Sequence, residues 1–382
     1  MINSISNTSS DEELIKAAKQ VADKSWPEDI CELAIRLAES GVVINSWTST
    51  KTADIPSTGG PFSLSTLLCP LILAATGCYV PKLGVPGRPA GGIDCMMQIF
   101  GYRAEFSEDD LRRIISESQY AHFLSGGRFA PLDARMFALR QRHGLQSVPE
   151  LATASILSKK LAVGVQQVGL DIRVAPWGNF GKNMDEAQAA AKIFQCCSTM
   201  LGLKAFTFLT DATVPYQPYL GRSESLIAMA KILDGSADGL LALHATDCLR
   251  MAVEVSSVNT IPTWHDARAM LAQHLETQGS SFQHFIDVAS RTEAEHTRHV
   301  FAPYSGYFSP DIPALRGALM QAQNAYQSSA IAFPDPLGLK LLSTSGEWVE
   351  NGQPLASVRA STDIWGQFST LIESALVVSQ AN

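Results

Sequence analysis

The segment Asp54-Ile55-Pro56-Ser57-Thr58-Gly59-Gly60, with the apolar run that follows it, constrains this chain more than any other stretch. Two glycines follow a pair of small hydroxyl residues. Pro61 comes next, at a position that suits the first residue of a helix, where its missing N–H would be unpaired anyway. Residues Phe62 to Ala75 read as that helix, largely apolar along its length. A loop of this kind delivers backbone N–H groups and the positive end of a helix dipole to one point, which makes an anion or polar-ligand site.

A second loop of similar composition, Gly84 to Gly92, follows a turn into a short strand at Gly77 to Pro81. Asp94 is placed to cap the next helix, Cys95 to Phe100. Two glycine-rich loops after two strands imply one cleft at the carboxyl edge of a sheet. Strands at Gly169–Val174 and Lys204–Thr210 alternate with helices at Asp185–Gly202, Ser223–Leu233 and Leu240–Val255, the pattern of an α/β domain. Two helices precede it, with Leu14, Ala17, Val21 and Ala22 and then Ile30, Leu33, Ala34 and Leu37 at helical spacing. Val42 to Thr50 leads out of them as an extended linker or strand. Ser107 to Asp110 starts a further helix. Helices at Pro131–Leu139 and Pro149–Val163 follow, and on the second of these Ser155 and Lys159 are four apart and share a face. The tail reads as strands at Leu337–Ser343 and Leu355–Arg359 before a final helix, Asp363–Val378.

The expected fold class is α/β. A helical domain (1–50 and 130–165) stands across a cleft from a larger α/β domain (51–129 and 166–300) with a mixed sheet. A shortened C-terminal α+β unit (301–382) completes it. A chain of 382 residues is long enough for two or three cores. Its net charge of −8 argues against bulk attraction to nucleic acid or anionic lipid, which leaves small molecules and other protein subunits as partners. The seven cysteines are odd in number and contain no C-x-x-C, so they read as buried reduced thiols of a cytoplasmic protein. No secretory pattern is visible at the polar, acidic start, and the apolar run near Leu67 to Ala75 is too short for a membrane span. No metal site is expected. Glu293, Glu295, His296 and His299 have suggestive spacing but sit in a polar helix without a second cluster. His122 and His143 are isolated histidines, of which His122, near the Ser125–Arg128 loop, is the candidate to reach the cleft.

Several stretches together resemble the thymidine and pyrimidine-nucleoside phosphorylases. They are Ser57 to Gly60, Pro70, Gly77 to Pro81, Gly91-Gly92, Asp94, Gly101-Tyr102, Ala130-Pro131, Phe137 to Arg140 and Ser147 to Pro149. The most specific is Thr153-Ala154-Ser155-Ile156-Leu157-Ser158-Lys159-Lys160-Leu161; Leu209 to Asp211, Leu220-Gly221 and Asn351 to Ala356 continue the match into a weaker last third. The resemblance implies the two-domain cleft described above, a homodimer, and no cofactor beyond phosphate as a co-substrate. It also implies that Arg140, Ser155 and Lys159 bind a pyrimidine base, whose carbonyls and ring N–H call for such donors and an acceptor. The anion loop would be Ser57, Thr58 and Ser65, with Arg88 or Lys82 as replacement cation.

The sequence departs from that family at the chemistry. The family loop reads Asp-Lys-His-Ser-Thr-Gly-Gly, in which the lysine contacts phosphate and the histidine is a proposed acid. Here those positions are Ile55 and Pro56. A further phosphate serine falls on Gly84, and a threonine falls in a gap around Ile93. Each charge-assisted hydrogen bond lost costs about 1.5–3 kcal/mol, so phosphate affinity is expected to drop. Asp54 is either structural or catalytic, holding a water for attack on the anomeric carbon or stabilising an oxocarbenium-like centre. Lys159 is the second catalytic candidate, stabilising the departing base anion together with Arg140. Three readings follow. The first is phosphorolysis at the N-glycosidic bond of a pyrimidine (deoxy)nucleoside, weakened by the altered loop. The second is a phosphate-independent nucleoside hydrolase or an altered-acceptor or nucleotide enzyme. The third is a non-catalytic pyrimidine-binding homologue. Cleft closure would turn on hinges near residues 50 and 165.

Overall fold

The computed structural model describes all residues except 1, 45, 49, 50, 329, 381 and 382. Helix α1 (Asp11–Lys24) opens with a reciprocal capping box between Ser10 and Glu13, and α2 (Pro27–Ala38) opens with proline in its first turn. The chain then enters β1 (Ala53–Asp54), α3 (Ser65–Ala75), β2 (Val80–Gly84), the short α4 (Gly92–Met96), α5 (Glu108–Ser118) and β3 (Tyr120–Leu124). Helices α6 (Pro131–Arg142) and α7 (Pro149–Ala162) pack on α1 and α2. Their shared core includes Leu14, Val21, Leu33, Leu37, Met136, Leu151 and Leu157.

The α/β domain resumes with β4 (Gln167–Val174), α8 (Met184–Met200) and β5 (Lys204–Asp211), then β6 (Tyr219–Leu220), α9 (Arg222–Leu233), α10 (Gly239–Ser256), α11 (Trp264–Thr277) and α12 (Phe282–Ala294). Strands β1, β4 and β5 pair in parallel in that order, and β2 pairs in parallel with β3. A parallel bridge from Thr52 to Tyr79 sets β1 beside β2, and the Ala53 N–H donates to the Tyr79 carbonyl at 2.9 Å. Parallel strands send all their following loops to one edge, so the loops after β1, β2, β3 and β4 open together. Helix α3 is buried from Leu67 to Ala74 against α10 and α11, which accounts for its lack of a polar face.

The C-terminal unit contains β7 (Arg298–Phe301), β8 (Gly306–Pro310), α13 (Ile312–Tyr326), β9 (Leu337–Leu341), β10 (Trp348–Val349), β11 (Pro354–Ala360), α14 (Thr362–Ala375) and β12 (Leu376–Ser379). Its strands pair antiparallel in two sheets, β6-β9-β11-β7 and β10-β8-β12. Among the described strands, antiparallel pairing is confined to these sheets. Strand β6, from the middle of the chain, is sewn into the first of them, and Leu220 and Phe62 join its core with Leu315, Leu339 and Val358.

Three local expectations change. The helix expected from Phe62 begins at Ser65, with Pro61 in a turn. The Leu64 N–H donates to His244 Nε2 on α10 at 2.9 Å, a cap 180 residues away that local sequence cannot reveal. Asp94 does not start α4; it lies inside the first turn, and its carboxylate turns back to accept from the Gly87 and Arg88 N–H groups. The final helix stops at Ala375 because Leu376–Ser379 leave to pair with β8. Of the expected linker, Val42 and Ile44 bond to the Arg128 and Ala162 carbonyls, whereas the hinge near residue 50 lies outside the described residues. Near residue 165, the Thr52 hydroxyl donates to the Gly164 carbonyl at 2.8 Å and accepts from the Gln166 N–H at 2.9 Å. No described helix is long and apolar enough to cross a membrane.

Candidate active site

A cavity of about 530 Å³ opens where the strand-end loops converge. It is walled by the loops after β1, β2 and β4, by α6 and α7, and by the first turns of α13. Arg140, Ser155 and Lys159 all line it. Lys159 lies one helical turn after Ser155, and its Nζ donates to Ser155 Oγ at 2.9 Å and to Asp133 Oδ2 at 2.6 Å. Burial pushes the Lys159 ammonium pKa down, and Asp133 opposes that shift. The Arg140 guanidinium donates to the carbonyls of Leu151 (3.1 Å), Leu145 and Gln146 (3.3 Å each), tying the end of α6 to the start of α7. Gln146 adds a buried side-chain N–H donor with no partner among the described residues. One wall thus carries an ammonium, a guanidinium, a hydroxyl and an open amide donor.

Ser57, Thr58, Gly59 and Gly60 of the glycine loop line the cavity, with part of their hydrogen-bonding capacity already engaged. The loop runs along β4: Ser57 bridges to Asp171, and the Thr58 N–H donates to the Asp171 carbonyl at 2.9 Å. The Gly59 N–H turns onto Ser57 Oγ at 3.2 Å, and the Thr58 hydroxyl accepts from the Arg173 N–H at 2.9 Å. The Thr58 and Gly59 N–H groups are therefore engaged within the protein. Ser65, expected among the phosphate ligands, is fully buried, and its hydroxyl donates to Asp171 Oδ2 at 2.6 Å; Ser63 and Thr66 line the cavity in its place. Ile55 is buried in the apolar core and Pro56 faces the cavity. The position of the missing serine is also closed. A Cβ on Gly84 would lie 2.7 Å from Ile93 Cβ and 2.9 Å from His122 Nε2.

Asp54 is tied rather than free. Lys82 Nζ donates to its Oδ1 at 2.7 Å and Lys160 Nζ to its Oδ2, all three groups being buried. Burial alone would raise its pKa, but the two lysines hold the carboxyl well below the usual carboxylate range. This geometry supplies a structural clamp between β1, β2 and α7, with each carboxylate oxygen held by one ammonium. Lys82, a candidate phosphate cation, is taken by the same clamp.

His122 reaches the cavity wall from β3, with Nδ1 3.1 Å from the Tyr120 hydroxyl. Burial drives its pKa well below the ordinary histidine value, so it is neutral near pH 7. His143 is exposed at the end of α6. Glu293 pairs with Lys231 at 3.0 Å, and His296 turns to Glu224 at 3.2 Å; no cluster of potential metal ligands forms among the described residues.

Arg173 escaped the sequence reading. Its Nε and Nη2 donate to Asp171 Oδ2 at 2.9 and 2.5 Å, Nη2 reaches Ser63 Oγ at 3.0 Å, and the guanidinium lies 4.1 Å from the centre of the Tyr216 ring. The signal was present: Asp171 and Arg173, two apart at the end of a strand, share one face of the sheet where α/β sites gather. Asp133 and Arg316 carried no comparable local signal.

No protein-family model matches the chain. Over 262 residues it is 29% identical to a pyrimidine-nucleoside phosphorylase of Staphylococcus haemolyticus (strain JCSC1435), covering 68% of this chain and 59% of that protein. Over 327 residues it is 26% identical to the pyrimidine-nucleoside phosphorylase of Staphylococcus epidermidis (strain RP62A), covering 81% and 74%. This chain resembles the pyrimidine-nucleoside phosphorylases. The alignment spans less than two thirds of the Staphylococcus haemolyticus enzyme. Among solved structures, anthranilate phosphoribosyltransferase from Thermus thermophilus aligns with a TM-score of 0.48 at 16% identity, over 74% of this chain and 89% of that one. The Saccharomyces cerevisiae enzyme aligns at 0.47 and 15%, over 76% and 90%.

Proposed function

We propose that this chain binds a pyrimidine base or nucleoside and acts at the N-glycosidic bond as a pentosyltransferase-type enzyme with weak phosphorolysis. The observation that carries this is the wall formed by Arg140, Gln146, Ser155 and Lys159. Lys159 Nζ is buried at 2.6 Å from Asp133 and 2.9 Å from Ser155. A pyrimidine presents two carbonyls and a ring N–H, which match these donors with a hydroxyl as acceptor. Developing negative charge on a departing base would meet an ammonium and a guanidinium already fixed in place, so little reorganisation is needed as the bond breaks. Weak phosphorolysis follows from the loop, whose expected cation is the buried Ile55 and whose Thr58 and Gly59 N–H groups are engaged internally.

The clamp on Asp54 favours a second reading, a binding homologue without turnover, because it removes one candidate base from the site. Product analysis from a panel of uridine, thymidine and cytidine, with and without phosphate, separates the two. Base release under either condition supports the enzyme; ligand-induced thermal stabilisation without product supports the binder. The Lys159→Ala variant is expected to weaken uracil binding by about 10- to 100-fold, the loss of one charge-assisted hydrogen bond of roughly 1.5–3 kcal/mol. Unchanged binding in that variant, or no shift of wild type at millimolar ligand, overturns the pocket.

A further inference from the structure

The charged groups around the cavity do not balance internally. Asp54 is matched by Lys82 and Lys160, Asp133 by Lys159, and Asp171 by Arg173. Asp94 accepts from the Gly87 and Arg88 backbone and from Arg222 Nη2 at 3.1 Å, so it does not hold the Arg88 side chain. Arg140, also without a paired carboxylate, is held by three backbone carbonyls, which leaves two further cavity-lining guanidiniums, Arg88 on the loop after β2 and Arg316 in the second turn of α13. Among the described residues neither has an ion-pair or side-chain hydrogen-bond partner. The Arg88 guanidinium carbon lies over Phe137, 4.5 Å from the ring centre, a cation–π contact that leaves its N–H groups without a hydrogen-bond partner among the described residues.

We propose that Arg88 and Arg316 form a phosphoryl subsite, and that the phosphate they hold is carried on the sugar of the substrate, a pyrimidine nucleoside monophosphate. This rests on the reading of Arg140, Ser155 and Lys159 as the base pocket. Asp94 acts on Arg88 through space but forms no ion pair with it, and a phosphate dianion supplies charge and acceptors for two planar forks. Arg88 packs on Phe137, three residues before Arg140 on α6, which sets it beside the base pocket, and Arg316 lines the same cavity from α13. Burial, then Arg316, lower the Arg88 pKa to about 10, and Asp94 opposes them. The cavity volume of about 530 Å³ falls in the range of small-molecule sites.

The test is calorimetric titration of the full chain, wild type and Arg316→Gln, with uridine, uridine 5′-monophosphate, ribose 5-phosphate, and uridine in saturating inorganic phosphate. The nucleotide is expected to bind wild type at least ~10-fold more tightly than uridine, and Arg316→Gln to remove most of that preference while leaving uridine affinity unchanged. Arg88→Gln is expected to do the same and guards against an isolated folding defect. Equal affinity for nucleotide and nucleoside in wild type overturns the subsite, as does a preference that survives both substitutions. Inorganic phosphate that raises uridine affinity to the nucleotide level, in an Arg316-dependent way, overturns the substrate-borne assignment in favour of free phosphate. Arg316-dependent binding of ribose 5-phosphate without uridine binding sinks the pyrimidine pocket and keeps the subsite.

Discussion

Restoring the missing loop cation by Ile55→Lys asks whether one residue or the whole loop geometry separates this chain from a phosphorylase. Ile55 is fully buried among Ala53, Leu64 and Leu67, and a Cβ on Gly169 would lie 3.0 Å from its Cγ1. The side chain points into the core rather than the cavity. The nearest carboxylate, Asp54, already holds two lysines, and the Ile55 carbonyl accepts from Lys82 Nζ at 3.2 Å. A lysine at 55 retains apolar contact through its stem, so the electrostatic cost decides. An ammonium buried without a counter-ion costs several kcal/mol even after relaxation, and two neighbouring cations add to it. A loss of at least about 3 kcal/mol is expected, a large part of the roughly 5–15 kcal/mol that holds a typical domain. Urea unfolding should show a clearly lower midpoint, and phosphate-dependent release of thymine from thymidine should stay at the wild-type level. An unchanged midpoint together with a gain of phosphate-dependent turnover would refute this reasoning.

Gly84→Ser, which puts back the absent phosphate serine, should destabilise by about 1–3 kcal/mol without raising phosphate affinity, because Ile93 and His122 occupy the space; thermal melts with and without phosphate decide it. Acid should weaken the fold through His274. Burial lowers its pKa to about 4, whereas the unfolded chain takes up that proton near the ordinary histidine value of 6.5. Stability is therefore lost as pH falls from about 6.5 towards 4, by about 3 kcal/mol from this group, and levels off below that. In His274→Gln the difference in unfolding free energy between pH 7 and 4.5 should shrink by roughly 2–3 kcal/mol; an unchanged difference contradicts the assignment.

The long helices could be read from the sequence because periodicity and local caps coincide. Ser107 and Asp110 form the reciprocal cap of α5, and α7 starts on Pro149 as its spacing implies. Where the reading slipped, the deciding partner was distant in sequence. His244 sets the start of α3 and Arg222 draws on Asp94, and no local pattern encodes either contact. The same divide runs through the site. Ser155 and Lys159 are one helical turn apart, so their shared wall was foreseeable, and the structure brings Arg140 to it. The glycines and hydroxyls of the loop describe a conformation that reaches the cavity without saying which of its donors are already engaged. It lies along β4, and that depends on Asp171 and Arg173, more than a hundred residues on. Arg316 enters from a third unit, and only tertiary folding shows that α13 reaches the cavity.

The stitching of β6 into the C-terminal sheet has a mechanical consequence. Arg222, two residues beyond that strand, grips the Pro334 and Arg88 carbonyls, while Arg359 binds Glu224 in the first turn of α9. The second loop, α9 and the C-terminal unit are thereby locked as one jaw carrying both Arg88 and Arg316. Arg140, Ser155 and Lys159 ride on the opposing jaw, with Phe137 against Arg88 as one contact between them and the Asp54 clamp from Lys82 to Lys160 as another. Rotation of one jaw away from the other would part Arg88 from Phe137 and change the span from Lys159 to Arg316. A bound molecule would then be gauged by length as well as by its functional groups, and one too short to touch both jaws would leave them free to separate.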